Sequence, residues 1–205
     1  MGGRRLARAL AAIDAANEDD PHTIEVRGEV RPKELVHAEL MTEWLHRLDP
    51  DPTEAQQLAA RAHHLRRWTV PRSSYPEGRA GYLRWRTALR RQHAEEVATI
   101  LGPLGYDDPT IARVQAIIRK EGLGTDPQVQ VHEDALCLVF LETQLASVAD
   151  DLGDDKMVEV IQKTAKKMSE QALALASELQ MRAKDRGLMR QALAGGAGGR
   201  GSADR

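Results

Sequence analysis

The chain has a single cysteine, Cys137, among 205 residues. One thiol can form no intramolecular disulfide and can supply no Cys₂ or Cys₄ zinc site. It lies in the apolar run ALCLVFLE, which suits a buried, inert thiol. Aromatics make up only 3% of the residues, so the core must be built from Leu, Ala, Val and Ile. No run approaches the ~20 consecutive apolar residues of a membrane-spanning helix. A glycine-rich phosphate loop is missing too, because GGAGG lies near the C-terminus and follows no strand. The opening MGGRRLARALAAI is basic and then apolar, but Asp14 interrupts it. It leads into an amphipathic pattern rather than a cleavage site, so a cytoplasmic protein without a signal peptide is expected. No internal repeat is present.

What the chain does hold is arginine, concentrated in one place. Arg61 to His93 contains nine arginines, no lysine and one acid, Glu77, for a formal +8. The whole chain is −2, so the remainder carries −10. Trp68, Tyr75, Tyr82 and Trp85 lie in the same stretch, four of the seven aromatics. Arginine is used over lysine where a planar fork must meet phosphate or carboxylate. The stretch reads either as the wall of an anion site or as a solvated basic face paired to the acidic remainder.

Periodicity predicts an all-α helical bundle, one domain over 1–190 with a flexible Gly-rich tail over 191–205. Helices are expected over 4–17, 33–48, 53–68, 79–101, 109–120, 128–149, 154–167 and 169–186. The passage TIEVRGEVRP is β-prone, but one short strand has no partner elsewhere, so Pro21–Pro32 reads as a loop. Ala135 to Leu141 is apolar all round and should sit in a buried central helix.

Four residues could converge in the bundle core: His37, His64, His93 and Asp134. Each lies on or beside an apolar face of a different expected helix. Neutral imidazoles and a carboxylate suit a borderline divalent metal such as zinc, manganese or iron. Each histidine taken alone reads equally as a satisfied core residue, and Asp134 as an acid in a helix first turn. On helical phase, His64 points inward and His63 is turned about 100° away. Arg67, Arg72, Arg79 and Arg86 are expected to line one anion pocket, with Trp68, Tyr75 and Tyr82 placed to stack on a base. Arg84, Arg90 and Arg91 are expected to face solvent. Glu96 or Glu133 could orient a water.

The order of these residues resembles that of the HD-domain metal-dependent phosphohydrolases. AARAHHLRRW is similar to their His-Asp segment, with His63–His64 standing where the doublet is expected. HAELM is similar to the segment bearing their first histidine, and HEDALCLVFLE holds an aspartate, Asp134, where their last one falls. A closer resemblance covers about residues 6–180. AARAHHLRRW, PRSSYPEGRAGYLRWR, HAE, DPQVQVHEDALCLVFLE and KTAKKMS are similar to the motifs of domain of unknown function family 4202. Tyrosine and glutamine are frequent there at positions 37 and 63, which favours His64, His93 and Asp134 as ligands. KKMS resembles the lysine loop of class I aminoacyl-tRNA synthetases, but the βαβ pattern of their catalytic domain is absent.

Two functions follow as expectations. One is a metal-dependent phosphohydrolase acting on a nucleotide or another phosphorylated small molecule. The other is a metal-free helical module that binds RNA or an acidic partner through Arg61–His93. A purely structural bundle is the third reading. No membrane partner is expected, and the sequence does not define an oligomeric state.

Overall fold

The computed structural model describes residues 2–197. They are predominantly helical, as the periodicity predicts. The chain divides into two compact units, Met1–His132 and Glu133–Arg205.

The first unit opens with α1 (Gly2–Glu18) and a β-hairpin, β1 (Thr23–Val26) and β2 (Glu29–Pro32). The expected loop at Pro21–Pro32 is therefore corrected. The β-prone passage finds its partner in itself, with Thr23 opposite Pro32 and Val26 opposite Glu29. Arg27 and Gly28 turn the chain with φ of 55° and 84°. Positive φ at both central residues is what a tight hairpin turn requires. Two four-residue strands are too short to stand alone, and the hairpin packs on the next helix.

That helix is α2 (Lys33–Leu48), which buries Leu40, Met41, Trp44, Leu45 and Leu48. Then α3 (Glu54–Arg61) starts on a capping box, Thr53 with Gln56. It ends a full two turns before the expected Trp68. Arg66 is left-handed, with φ of 49°, a conformation that no helix can carry through. Its N–H is taken by Oδ1 of buried Asn17 at 3.0 Å. His63 and His64 therefore lie in a turn, and the helical-phase argument for them does not apply: His63 is buried as well.

Short 3₁₀ turns at Arg67–Thr69 and Arg72–Ser74 lead to α4 (Gly78–Leu101), and α5 (Asp108–Arg119) follows. Ile13, Leu58, Leu65, Val97, Leu101, Val114, Ile117 and Val129 form the core of this unit. Each such side chain contributes about 1.5–3 kcal/mol on burial.

The helix α6 (Pro127–Thr143) continues into the second unit. It stops before the expected 149, because Gln144 leaves helical geometry and α7 (Leu145–Leu152) begins afresh. Gly153, at φ of 80°, ends that helix and opens α8 (Asp154–Ala165). The last expected helix is two, α9 (Glu170–Ser177) and α10 (Ala183–Ala197). Of the expected tail, 191–197 continue α10, and 198–205 lie outside the described residues. Ala135, Leu138, Leu141, Leu145, Met157, Ile161, Ala172 and Met189 are buried here. Among the described residues, no helix is long and apolar enough to cross a membrane.

Leu138 is fully buried. Leu138→Ala should cost about 3 kcal/mol in a urea titration. Leu138→Asp should cost more, because the charge has no partner in an apolar surround. A fully stable Leu138→Asp protein would show that this segment is not a core element.

Candidate metal centre

The first turn of α2 has no cap from its own flank: the side chain at the N-cap position, Pro32, makes none. Asp20 serves instead, its Oδ2 accepting the Glu34 N–H at 3.0 Å. Asn17 and Asp20, at the end of α1, thus hold two separate segments. Asn17 fixes the turn after His64, and Asp20 fixes the backbone of Glu34.

Those two segments meet. Oε2 of Glu34 accepts from Nδ1 of His37 at 3.3 Å and from Nδ1 of His64 at 2.9 Å. One carboxylate oxygen therefore sets the tautomer of both rings, with protons on Nδ1 and lone pairs on Nε2. Nε2 of His64 accepts from Nη1 of Arg67 at 3.3 Å. Nε2 of His37 is buried with no partner. Glu34, His37 and His64 each offer a ligand atom, all within 4.8 Å of one another.

Further imidazoles surround this group. His63 lies with its ring centroid 4.0 Å from that of His64, and His93 lies at 5.8 Å. His63 Nδ1 bonds His132 Nε2 at 3.1 Å. His93 bonds the backbone of His63. The Nε2 atoms of His63 and His93 are both buried and unpartnered. Five of the seven histidines are thus drawn together.

Three of these rings, His63, His64 and His93, are neutral at physiological pH. Burial, then the neighbouring His64 and His132, pushes His63 well below the ordinary imidazole value. Burial, then Arg67 and His93, does the same to His64. Burial and then Arg67 bring His93 down to about 4. A neutral ring with a bare, buried lone pair is what a metal ligand needs. A buried ring nitrogen without a partner is otherwise a cost of about 1–3 kcal/mol, and His37, His63 and His93 each have one. The His64 lone pair is held by Arg67, which would turn aside for an ion. The donor set therefore fits a borderline divalent ion.

Of the residues expected at the site, His37, His64, His93 and Arg67 are brought together. Arg67 keeps 31% of its side chain exposed and His64 17%, so the site is reached from their side. Asp134 belongs to the second unit, where its Oδ1 accepts the Ser169 N–H at the start of α9, at 2.9 Å. Glu133 lies 3.6 Å from Lys167 in the same unit. Glu96 is bonded to Gln92 through Oε1, while its Oε2 is buried and unpartnered.

The arginines divide by what they touch. Arg61 forms a bidentate pair with Asp14, tying α3 to α1. Arg72 donates to the carbonyls of Tyr75, Pro76 and Gly78, at 2.9, 2.9 and 3.4 Å. Trp85 Nε1 donates to Val70 O at 2.9 Å. At Gly81, any Cβ would strike the carbonyl of Pro76, so only glycine lets the 70–78 loop lie on α4. Trp68 and Tyr75 are half-buried beside it. Arg79, Arg84 and Arg91 are exposed, the last paired to Glu95, and Arg90 is half-buried. Arg86 lies over Tyr82. Arg72→Ala should lower stability by about 1–2 kcal/mol in thermal or urea unfolding. Arg84→Ala should change it by less than about 0.5 kcal/mol. Equal effects would mean that the Arg72 carbonyl clamp is not formed.

Glu34 is the residue that sequence reasoning missed. The available signal was its spacing, Glu34–x–x–His37, which puts both side chains on one face of α2. Asn17 and Asp20 carried no such signal, since they act over 49 and 14 residues.

A family model described as Domain of unknown function (DUF4202) matches residues 7–189. No curated protein and no solved structure matches the chain.

Proposed function

The chain belongs to the DUF4202 family, and we propose that it is a metal-dependent hydrolase of phosphorylated small molecules. One observation carries the reading: Glu34, His37 and His64 place three ligand atoms within 4.8 Å of one another, beside Arg67. Ligand atoms on one zinc ion sit about 3–4 Å apart, given bonds of ~2.0–2.2 Å, so small side-chain adjustments close the difference. Zinc, manganese or iron suits imidazole with carboxylate. Such an ion lowers the pKa of a bound water and polarises a phosphoryl oxygen.

The chain's own residues supply the rest. Glu34 orients His37 and His64 through their Nδ1 protons, the outer-shell arrangement that fixes a ligating ring. For the three residues to act as one ligand set, the Glu34 oxygen would itself join the coordination. With Glu34 only orienting the rings, His37 and His64 would be the two ligands of this group. Arg67 offers N–H groups beside His64, and so can hold a phosphate oxygen next to the ion. Burial pulls the pKa of Arg67 down and Glu34 draws it up. It stays cationic throughout the neutral range. A cytoplasmic location goes with such substrates.

A second reading has its own observation. Arg79 and Arg84 are exposed beside Tyr82 and Leu83, as a surface for RNA or an acidic partner would be. Binding that falls steeply with salt, without metal or hydrolysis, would favour it.

The deciding experiment is metal analysis of protein purified without metal-affinity resin, with phosphate release measured before and after chelation. About one divalent ion per chain is expected, with activity lost to chelator and restored by zinc, manganese or iron. Protein that holds none of these ions and gains no activity from them would end the hydrolase reading.

A further inference from the structure

Beside the candidate metal centre, two cations bracket a pair of aromatic rings. The Arg67 guanidinium carbon lies 4.8 Å from the Trp85 ring centroid. Trp85 and Tyr82 have centroids 5.9 Å apart. The Arg86 guanidinium carbon lies 5.7 Å from the Tyr82 centroid. Tyr82, Trp85 and Arg86 share one face of α4, at spacings of three and four residues. Trp85 is buried, at 9% exposure, and Val70 O fixes its indole N–H. Tyr82 is 42% exposed. The buried ring backs the exposed one, and an aromatic side chain left open beside a cation is a stacking platform rather than a core residue.

We propose that the substrate is a nucleoside phosphate, with its phosphate held at Arg67 and its planar base stacked on Tyr82 against Arg86. The assignment rests on the hydrolase reading for its chemistry, but not for its binding geometry. The group begins at the guanidinium that touches His64, and both Tyr82 and Arg86 lie near enough to act on that guanidinium. It therefore sets an anion-binding fork beside an open aromatic ring. A phosphate ester without a base, such as ribose 5-phosphate, would reach Arg67 and leave Tyr82 uncovered. Free mononucleotide and the 5′-phosphorylated end of a single strand present the same chemistry.

The test is equilibrium binding, by calorimetry, of AMP, ribose 5-phosphate and a short 5′-phosphorylated single-stranded oligonucleotide. Each is titrated into chelator-treated protein and again into protein with added zinc. AMP should bind about tenfold tighter than ribose 5-phosphate, the range of one base–aromatic stack. Tyr82→Ala should bring AMP to the ribose 5-phosphate level, while Tyr82→Phe stays within about twofold of wild type. Leu123→Ala, at an exposed apolar residue of another segment, should leave both affinities unchanged. Tighter binding of the oligonucleotide than of AMP, still lost in Tyr82→Ala, would assign the site to strand ends. The reverse order would assign it to free nucleotides. Equal affinities for AMP and ribose 5-phosphate, or an AMP affinity indifferent to Tyr82→Ala, would overturn the proposal. Base preference without metal or hydrolysis would remove the hydrolase reading and leave this one standing. Metal-dependent hydrolysis with no base preference would do the opposite.

Discussion

His64→Ala should leave the protein without bound metal and without phosphate release, at an unchanged far-ultraviolet circular dichroism spectrum. The ring sits in the turn after α3 rather than inside a helix, so its removal costs no helical hydrogen bond. It does remove the imidazole that bonds both Glu34 and Arg67, which remain paired directly at 3.8 Å. Glu34→Gln separates two roles for the carboxylate. An amide of the same shape can still accept from one ring, but it carries no charge. If Glu34 only orients the rings, metal affinity should fall by about 10–100-fold, the usual cost of losing an outer-shell partner. If Glu34 is itself a ligand, the loss should match that of His64→Ala. Metal retained at the wild-type level in His64→Ala would dismiss the centre. A variant that unfolds would mark His64 as a packing residue.

The helical class and the placement of α2, α4 and α5 were legible because their apolar residues keep the helical period. What failed was local. Arg66 reverses its φ because Asn17 takes its N–H, and nothing near Arg66 announces that. The hairpin escaped because a strand was sought with a distant partner, while Arg27–Gly28 provides the turn on the spot. Both misses are tertiary or turn effects overriding a period.

The site was legible in part for the same reason. His37 and His93 stand on buried helix faces and His64 is expected on one, which suggests convergence; the rings are close, although His64 comes from a turn. Glu34 was hidden because an acid in a first turn is already explained by the helix dipole. The basic stretch reads either as an anion-site wall, with Arg67, Arg72, Arg79 and Arg86 in one pocket, or as a solvated face. It is a mixture: Arg61 and Arg72 hold backbone or carboxylate in place, Arg67 faces the cluster, and Arg79 and Arg84 meet water. Charge density in a sequence cannot divide these, because the division depends on which arginines find acceptors in the fold.

Acidification should destabilise the metal-free protein well before its carboxylates protonate. His93 is held at about 4 in the folded state, against an ordinary value near 6.5. His63 and His64 are depressed in the same direction by burial. Below pH ~6.5 the unfolded chain takes up these protons and the folded chain refuses them. The unfolded state then binds more protons, so stability falls as pH falls. For His93 alone the loss reaches about 3 kcal/mol by pH ~4. His63 and His64 add to it. Asp126, held at about 2 mainly by Arg113, contributes stability that is lost only below pH ~4, so it does not confuse the window. Urea midpoints measured at several pH values in chelator should therefore fall steadily between pH ~6.5 and ~4. His93→Gln, which cannot titrate, should flatten that slope even where it lowers stability at neutral pH. Midpoints that stay level across the window would mean that the imidazoles are open to water and charged in the folded protein, and the lone pairs that a metal would use would not be there.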